Sequence, residues 1–137
     1  MGAHARLINY GICKPIMESV NESPVSPTGY YFGADDLIFI EKVDRVKLRK
    51  GLVFGIAYSL ESSQDAFLCR VIHPTLVNPG EEKAYKETIE EKYNSANGLN
   101  FDYYRIEHAW EMIDGKWVFQ LEQSGKVLLE KSFELYN

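Results

Sequence analysis

The sequence predicts an all-β domain built as an antiparallel sandwich, and three observations carry that expectation. Apolar and polar residues alternate at period two, most clearly where Trp117, Phe119 and Leu121 interleave with Lys116, Val118, Gln120 and Glu122. Turn chemistry recurs between such runs, at Asn78-Pro79-Gly80, Asn97-Gly98, Asp114-Gly115 and Ser124-Gly125. The strand-favouring aromatics are abundant, at 13% of residues with nine Tyr, and no βαβ alternation competes with the strand pattern.

Taken in order, Arg6 to Met17 is the first strand, with Gly11 marking a bulge or a close backbone approach. Pro15 assigns it to a sheet edge, because proline cannot donate to a ladder. Residues 18–33 read as one long loop, rich in Pro, Gly, Ser and Asn, closing on the aromatic run Tyr30-Tyr31-Phe32. Leu37 to Leu48 is the second strand, apolar on both faces at Leu37-Ile38-Phe39-Ile40 and therefore expected to be covered on both sides. Leu52 to Leu60 follows, with Phe54, Ile56, Tyr58 and Leu60 on one face. Phe67 to His73 is the fourth strand and ends at Pro74.

Residues 81–93 fit two patterns. Tyr85, Ile89 and Tyr93 recur every four residues, which suits a helical stripe and one face of a strand equally. The flanking turn signals favour a strand, with its charged side toward solvent. Asn100 to Met112 is the next strand, carrying Tyr103 and Tyr104 on opposite faces. A hairpin closes the chain. Its last strand places Lys131 in the same row as Leu129, Phe133 and Leu135, and a bulge near Glu130 is expected to expel that charge. The tally is about eight strands in a single domain spanning 1–137. That spacing implies an antiparallel sandwich with Greek-key connections, and the closing region, with the turn Asp114-Gly115-Lys116-Trp117 opening the penultimate strand on an aromatic, resembles immunoglobulin- and fibronectin-III-like β-sandwich domains.

Several motifs together give a more specific resemblance. They are Asp44-Arg45, Gly51 with Phe54-Gly55, His73-Pro74, Asn78-Pro79, Phe101, the stretch His108 to Trp117, and Gly125 with Leu128, Glu130 and Phe133. In order and spacing, from about Asp35 to Tyr136, the chain resembles a bacterial domain-of-unknown-function family, DUF family 3859. The resemblance implies an immunoglobulin-like sandwich with no assigned activity. The chain departs from that pattern at Val46 and Asp114, where the family tends to have proline.

The sequence points to binding more than to chemistry. A formal net charge of −5 suits nucleic acid poorly, and the basic cluster Arg45, Lys47, Arg49 and Lys50 has no interleaved stacking aromatics. No run reaches membrane-spanning length, and the N-terminal residues lack a signal-peptide core, which favours a cytoplasmic setting. No phosphate-cradling Gly loop, Cys-x-x-Cys or His-Glu-x-x-His spacing is present, so no cofactor is expected. Cys13 and Cys69 each sit in an apolar run and read as buried free thiols. Asp35-Asp36 reads as a strand-entry turn ahead of a calcium ligand pair.

The leading expectation is thus a non-enzymatic interaction module. Tyr30, Tyr31, Tyr103 and Tyr104 are the candidate binding surface, because Tyr offers large contact area with few rotors. The partner would be another protein, or a second copy joined through an edge strand. The alternative is a small hydrolase or metal-dependent sensor built on His73 and His108.

Overall fold

Eleven strands and one short 3-10 turn make up the fold in the computed structural model, which describes residues 4–23, 25–61 and 65–137. The strands are β1 (His4–Ile16), β2 (Ser19–Glu22), β3 (Tyr30–Gly33), β4 (Asp36–Glu41), β5 (Arg45–Lys47) and β6 (Val53–Glu61), then β7 (Phe67–Asn78), β8 (Lys83–Lys92), β9 (Leu99–Arg105), β10 (Gly115–Gln123) and β11 (Lys126–Tyr136). The 3-10 turn covers Ala109–Glu111. One sheet runs β4-β1-β6-β9 and the other β5-β11-β10-β7-β8, with β2 and β3 forming a separate hairpin. Among the described residues every pairing is antiparallel except β5 with β11. Among the described residues no helix is long and apolar enough to cross a membrane.

The core lies between the two large sheets. Period-two alternation aims Phe54, Ile56, Tyr58 and Leu60 from β6 at Trp117, Phe119 and Leu121 from β10, with Phe133 and Leu135 from β11 beside them. Phe54 is the hub, meeting Trp117, Phe119 and Phe133 edge-to-face at 5.3–5.8 Å between centroids. Trp117 is fully buried and its indole N–H donates to the Ile113 carbonyl, 3.2 Å away, so the large ring leaves no orphaned donor. The β10–β11 hairpin turns through Ser124 and Gly125, both at positive φ (52° and 78°), the backbone twist that a tight hairpin needs.

A smaller cluster, Cys13, Leu37 and Val53 with Phe39, Phe101 and Tyr103 packed on it, covers the other face of the first sheet. It depends on Gly55. A Cβ there would lie 2.2 Å from the Asp102 carbonyl and 2.6 Å from the Tyr103 Cβ. The register pairs Gly55 directly with Tyr103, so the missing side chain lets that ring lie against the sheet.

Several expectations are corrected. The strand count is eleven, not eight, because shorter pairings add to it. Residues 18–33 are not one loop: β2 and β3 pair within them, from Ser19 with Gly33 to Glu22 with Tyr30. β1 is interior, flanked by β4 and β6, and Pro15 is tolerated because β6 pairing stops at Ile12. The segment from Leu37 to Leu48 splits into β4 and β5, in different sheets, and the exposed Ile38 and Ile40 show that β4 is not covered on both sides. β7 runs on through Pro74, with an irregular register between Ile72 and Leu76. β9 stops at Arg105, ahead of the 3-10 turn.

Two corrections concern charge. The bulge in β11 falls at Leu128, since Leu121 faces Leu129 while Glu122 faces Val127. Lys131 is not expelled. It stays in the inner row at the rim, 2.9 Å from Asp44 and 4.0 Å from the Tyr10 ring centroid. Residues 83–92 do form a strand, but its charged side faces solvent only in part: Lys86 is exposed, while Glu90 and Lys92 turn inward. The irregularity opposite Tyr85 reverses the alternation, so Tyr85 is buried and farther along Thr88 is buried too, while Tyr93 is 67% exposed.

Candidate functional site

One flank of the sandwich is closed by side chains instead of backbone pairing. β8 and β9 are the edges of their sheets there, and their inward positions are polar: Thr88, Glu90 and Lys92 opposite Asn100, Asp102 and Tyr104. The register Phe67–Lys92 and Cys69–Glu90 puts those β8 groups on the core side of β7. Lys92 Nζ donates to the Phe101 carbonyl at 2.5 Å and to Asp102 Oδ1 at 2.7 Å, and lies 3.8 Å from Glu90. The Tyr58 hydroxyl contacts Cys69 Sγ at 3.4 Å beneath them. Farther along, Tyr104 donates to Glu111 at 2.5 Å, and Glu111 also accepts the backbone N–H groups of Glu107 and His108.

A cavity of about 40 Å³ lies over this seam. Its floor is Cys69, Val71 and Phe119, its walls include Thr88, Glu90, Asp102 and Glu111, and its roof is Ser26, Thr28, Tyr30, Tyr31 and Phe32. That volume suits about three water-sized groups. The roof is the β2–β3 hairpin, which wraps the β9 edge. Tyr30 donates to Glu107 at 2.6 Å on one side. On the other, Glu18 holds Tyr103 and Arg105 at 2.7 Å each, and Arg105 lies over the Phe32 ring.

The electrostatics follow from burial. Desolvation, reinforced by Asp102 and only partly opposed by Lys92, raises the Glu90 carboxyl to about 8, so it carries a proton at neutral pH. Burial works against the Lys92 charge, but Asp102 outweighs it with help from Cys69 and Glu90, and Lys92 stays firmly protonated. Burial also raises Glu111, partly offset by the Tyr104 hydroxyl. Tyr30 rises to about 12 through burial and its bond to Glu107. Asp102 Oδ2 is buried and receives no N–H or hydroxyl donor; a proton on Glu90 is the hydrogen it can accept.

The comparisons agree with this architecture. The family model described as "Domain of unknown function (DUF3859)" matches residues 3–135. The chain belongs to the DUF3859 family. A crystal structure of an immunoglobulin-like protein from Pseudomonas aeruginosa superimposes with a TM-score of 0.72 at 17% identity, covering 99% of this chain and 98% of the other. At that identity the likeness establishes the fold. Among curated proteins, none matches. The family match includes β1, the hairpin and β4, ahead of most residues that carry the sequence resemblance.

In this DUF3859 chain the four candidate tyrosines gather around one cavity, but they do not form one exposed surface. Tyr30, Tyr31 and Tyr103 are half-buried at its boundary. Tyr104 is corrected to a core residue: it is buried, with its ring 5.1 Å from Trp117. His73 and His108 do not share a site. His73 is buried against Trp117, with Nδ1 at 2.9 Å from the Pro74 carbonyl and Nε2 at 3.3 Å from the Thr88 hydroxyl. His108 stacks on Trp110 at 5.2 Å with ring planes 6° apart.

Among the described residues, the group of three or more side chains spaced as metal ligands is Cys69, Glu90 and Asp102, and it contains no histidine. Lys92 already supplies a cation to that group. Cys13 and Cys69 are free, buried thiols, and burial raises Cys13 to about 12. Sequence reasoning missed Glu90, Lys92 and Asp102. Alternating charge on a strand reads as a solvated face, and only the bulge in the β7–β8 ladder turns it inward.

Proposed function

We propose that this chain is a non-enzymatic interaction module that binds a protein partner at the hairpin-roofed cavity. The observation that carries this reading is convergence. Tyr30 and Tyr31 on β3 and Tyr103 on β9, about seventy positions apart, border one cavity at a sheet edge. Half-buried tyrosines around a concavity at a sandwich flank are the anatomy of a recognition site, because each ring offers apolar area and a polar tip. The roof is a two-stranded hairpin, an element with little independent stability, so it is suited to move for a ligand.

Selection of a random peptide library against the chain, with counter-screening against Tyr31→Ala, tests the proposal. Selected peptides are expected to shift the ring resonances of Tyr30, Tyr31 and Tyr103 and to lose at least tenfold in affinity for the variant. Peptides that bind with no such shifts, or equally well to the variant, refute it, as does a library that yields none.

A further inference from the structure

Of the four edges of the two large sheets, three are guarded. β5 is three residues long, with Arg45 and Lys47 turned to solvent around a buried Val46. β8 turns Lys83, Lys86 and Glu91 outward. β9 is wrapped by the β2–β3 hairpin, which Tyr30 and Glu18 tie to Glu107 and Arg105. Short length, outward charge and a covering segment are devices that keep a sheet edge from pairing with another chain. β4 uses none of these along its middle. Leu37-Ile38-Phe39-Ile40 is uncharged and holds neither Gly nor Pro, and among the described residues no strand lies on its outer side. Its ladder to β1 is regular from Asp36 to Phe39, with an irregularity only at Ile40. Ile38 is 52% exposed and Ile40 68%. Such an edge offers unpaired backbone groups and apolar side chains together.

We propose that β4 pairs with β4 of a second copy of this chain, antiparallel across a two-fold axis at Phe39. Charge complementarity selects both the occupant and the register. Setting Phe39 opposite itself places Asp36 opposite Lys42 of the second copy, twice by symmetry, and Ile38 opposite Ile40, also twice. Asp36 and Lys42 are exposed, and among the described residues neither is in an ion pair; Lys42 lies over the Tyr10 ring at 5.3 Å. Moving the axis toward Ile38 would face Glu41 with Asp36 or Asp35, and moving it toward Ile40 would face Asp44 with Asp35 or Asp36. Like charges directly opposite each other destabilise a pairing, so those registers are disfavoured. In the favoured register the four isoleucines cover one another on one face. On the other, the two Phe39 rings meet and extend the cluster of Cys13, Leu37 and Val53 across the axis.

The pairing closes on itself. A two-fold contact consumes both β4 edges, so assembly stops at the dimer, and the edges left on the joined sheet are the two hairpin-wrapped β9 strands. The product is one continuous sheet of eight strands, four from each copy. β4 and β9 lie at opposite sides of their sheet, so the dimer leaves both hairpin-roofed cavities open, one at either end. Two linked sites raise avidity for a repeating partner without any new contact. The dimer itself does not depend on reading the cavity as the binding site.

Analytical ultracentrifugation of the full chain, from about 1 µM to about 1 mM, tests the proposal. The chain is expected to pass from monomer to dimer with a dissociation constant in the micromolar range, as suits a small interface. The double substitution Ile38→Lys with Ile40→Lys, at exposed positions, is expected to stay monomeric throughout. Lys42→Glu makes both ion pairs repulsive and is expected to weaken the dimer at least about tenfold, and adding Asp36→Lys is expected to restore it to within about threefold of the wild type. Circular dichroism verifies the fold of each variant. A wild-type chain that stays monomeric at the highest concentration overturns the proposal, as does a dimer that the two lysines leave intact. Growth beyond the dimer overturns the two-fold closure. A loss on Lys42→Glu that Asp36→Lys does not restore overturns the register. If the two-lysine variant does not fold, the wild-type series and the charge exchange decide.

Discussion

Replacing Lys92 with Met strips the seam of its cation. Two donor contacts vanish, to the Phe101 carbonyl at 2.5 Å and to Asp102 at 2.7 Å, while Asp102 stays buried at 4% exposure. Removing one partner of a buried ion pair costs about 3–5 kcal/mol, because the other charge is left without compensation. About a quarter of the Lys92 side chain reaches solvent, so water takes part of the load and the loss falls near the lower end, at about 3 kcal/mol. For a chain of 137 residues that is a fall of roughly 10 °C in melting temperature. The assay is urea unfolding followed by tryptophan fluorescence, since Trp117 is fully buried in the folded state.

One control sharpens it. The double substitution Lys92→Met with Asp102→Leu recovers most of the loss, because neither charge is then buried alone. A deficit below about 1 kcal/mol at neutral pH, or one that the double substitution leaves in full, refutes the reasoning and shows that the pair behaves as a solvated surface contact.

Other outcomes follow from the same geometry. Glu90 titrates near 8 when folded and near its ordinary value of 4.5 when unfolded, so the native state binds more protons between those limits. Stability is therefore expected to fall as pH rises from 4.5 toward 8, by at most about 1.4 kcal/mol per pH unit, and Glu90→Gln should flatten the profile measured by urea titration. Gly55→Ala sets a Cβ 2.2 Å from the Asp102 carbonyl and is expected to destabilise by about 3 kcal/mol or more in the same assay. Trp117→Leu leaves a void beside Phe54 and orphans the Ile113 carbonyl, with an expected loss of about 3 kcal/mol read from the denaturation midpoint. Cys13 and Cys69, buried and unpaired, should resist a thiol reagent in the native protein and react together once it unfolds.

The legible parts of the sequence were those where a clean period met a turn. Trp117, Phe119 and Leu121 alternate without interruption and Ser124-Gly125 reverses the chain, so the closing hairpin reads directly. The β2–β3 hairpin was hidden because Ser19–Glu22 is exposed throughout and has no apolar face to betray a strand. Its partner Tyr30–Gly33 carries aromatics at successive positions, so no period of two sets it apart from the loop that precedes it. The seam is not legible in the sequence because Glu90 and Lys92 are inward only through an irregular ladder, and no local signal marks such a shift. The inward place of Lys131 is not legible either, because its neutraliser, Asp44, lies 87 positions away in sequence. Residue type alone singles out Tyr30, Tyr31, Tyr103 and Tyr104; that all four border one cavity is a product of topology.

The one parallel pairing, β5 beside β11, bears on how the chain folds in time. Arg45 to Lys47 finds no sheet partner until Glu134 to Tyr136 has been made, yet Val46 is 3% exposed in the finished protein. Loop closure over so long a span is slow, and contacts of that range dominate folding rates. During synthesis the second sheet lacks both β11 and its outer strand, and the apolar face of Phe119 and Leu121 waits uncovered by Phe133 and Leu135. Completion of the sandwich is thus a late, cooperative event that depends on the last strand, and a ribosome-bound chain stopped before Lys126 is expected to remain protease-sensitive throughout rather than to hold a folded N-terminal half.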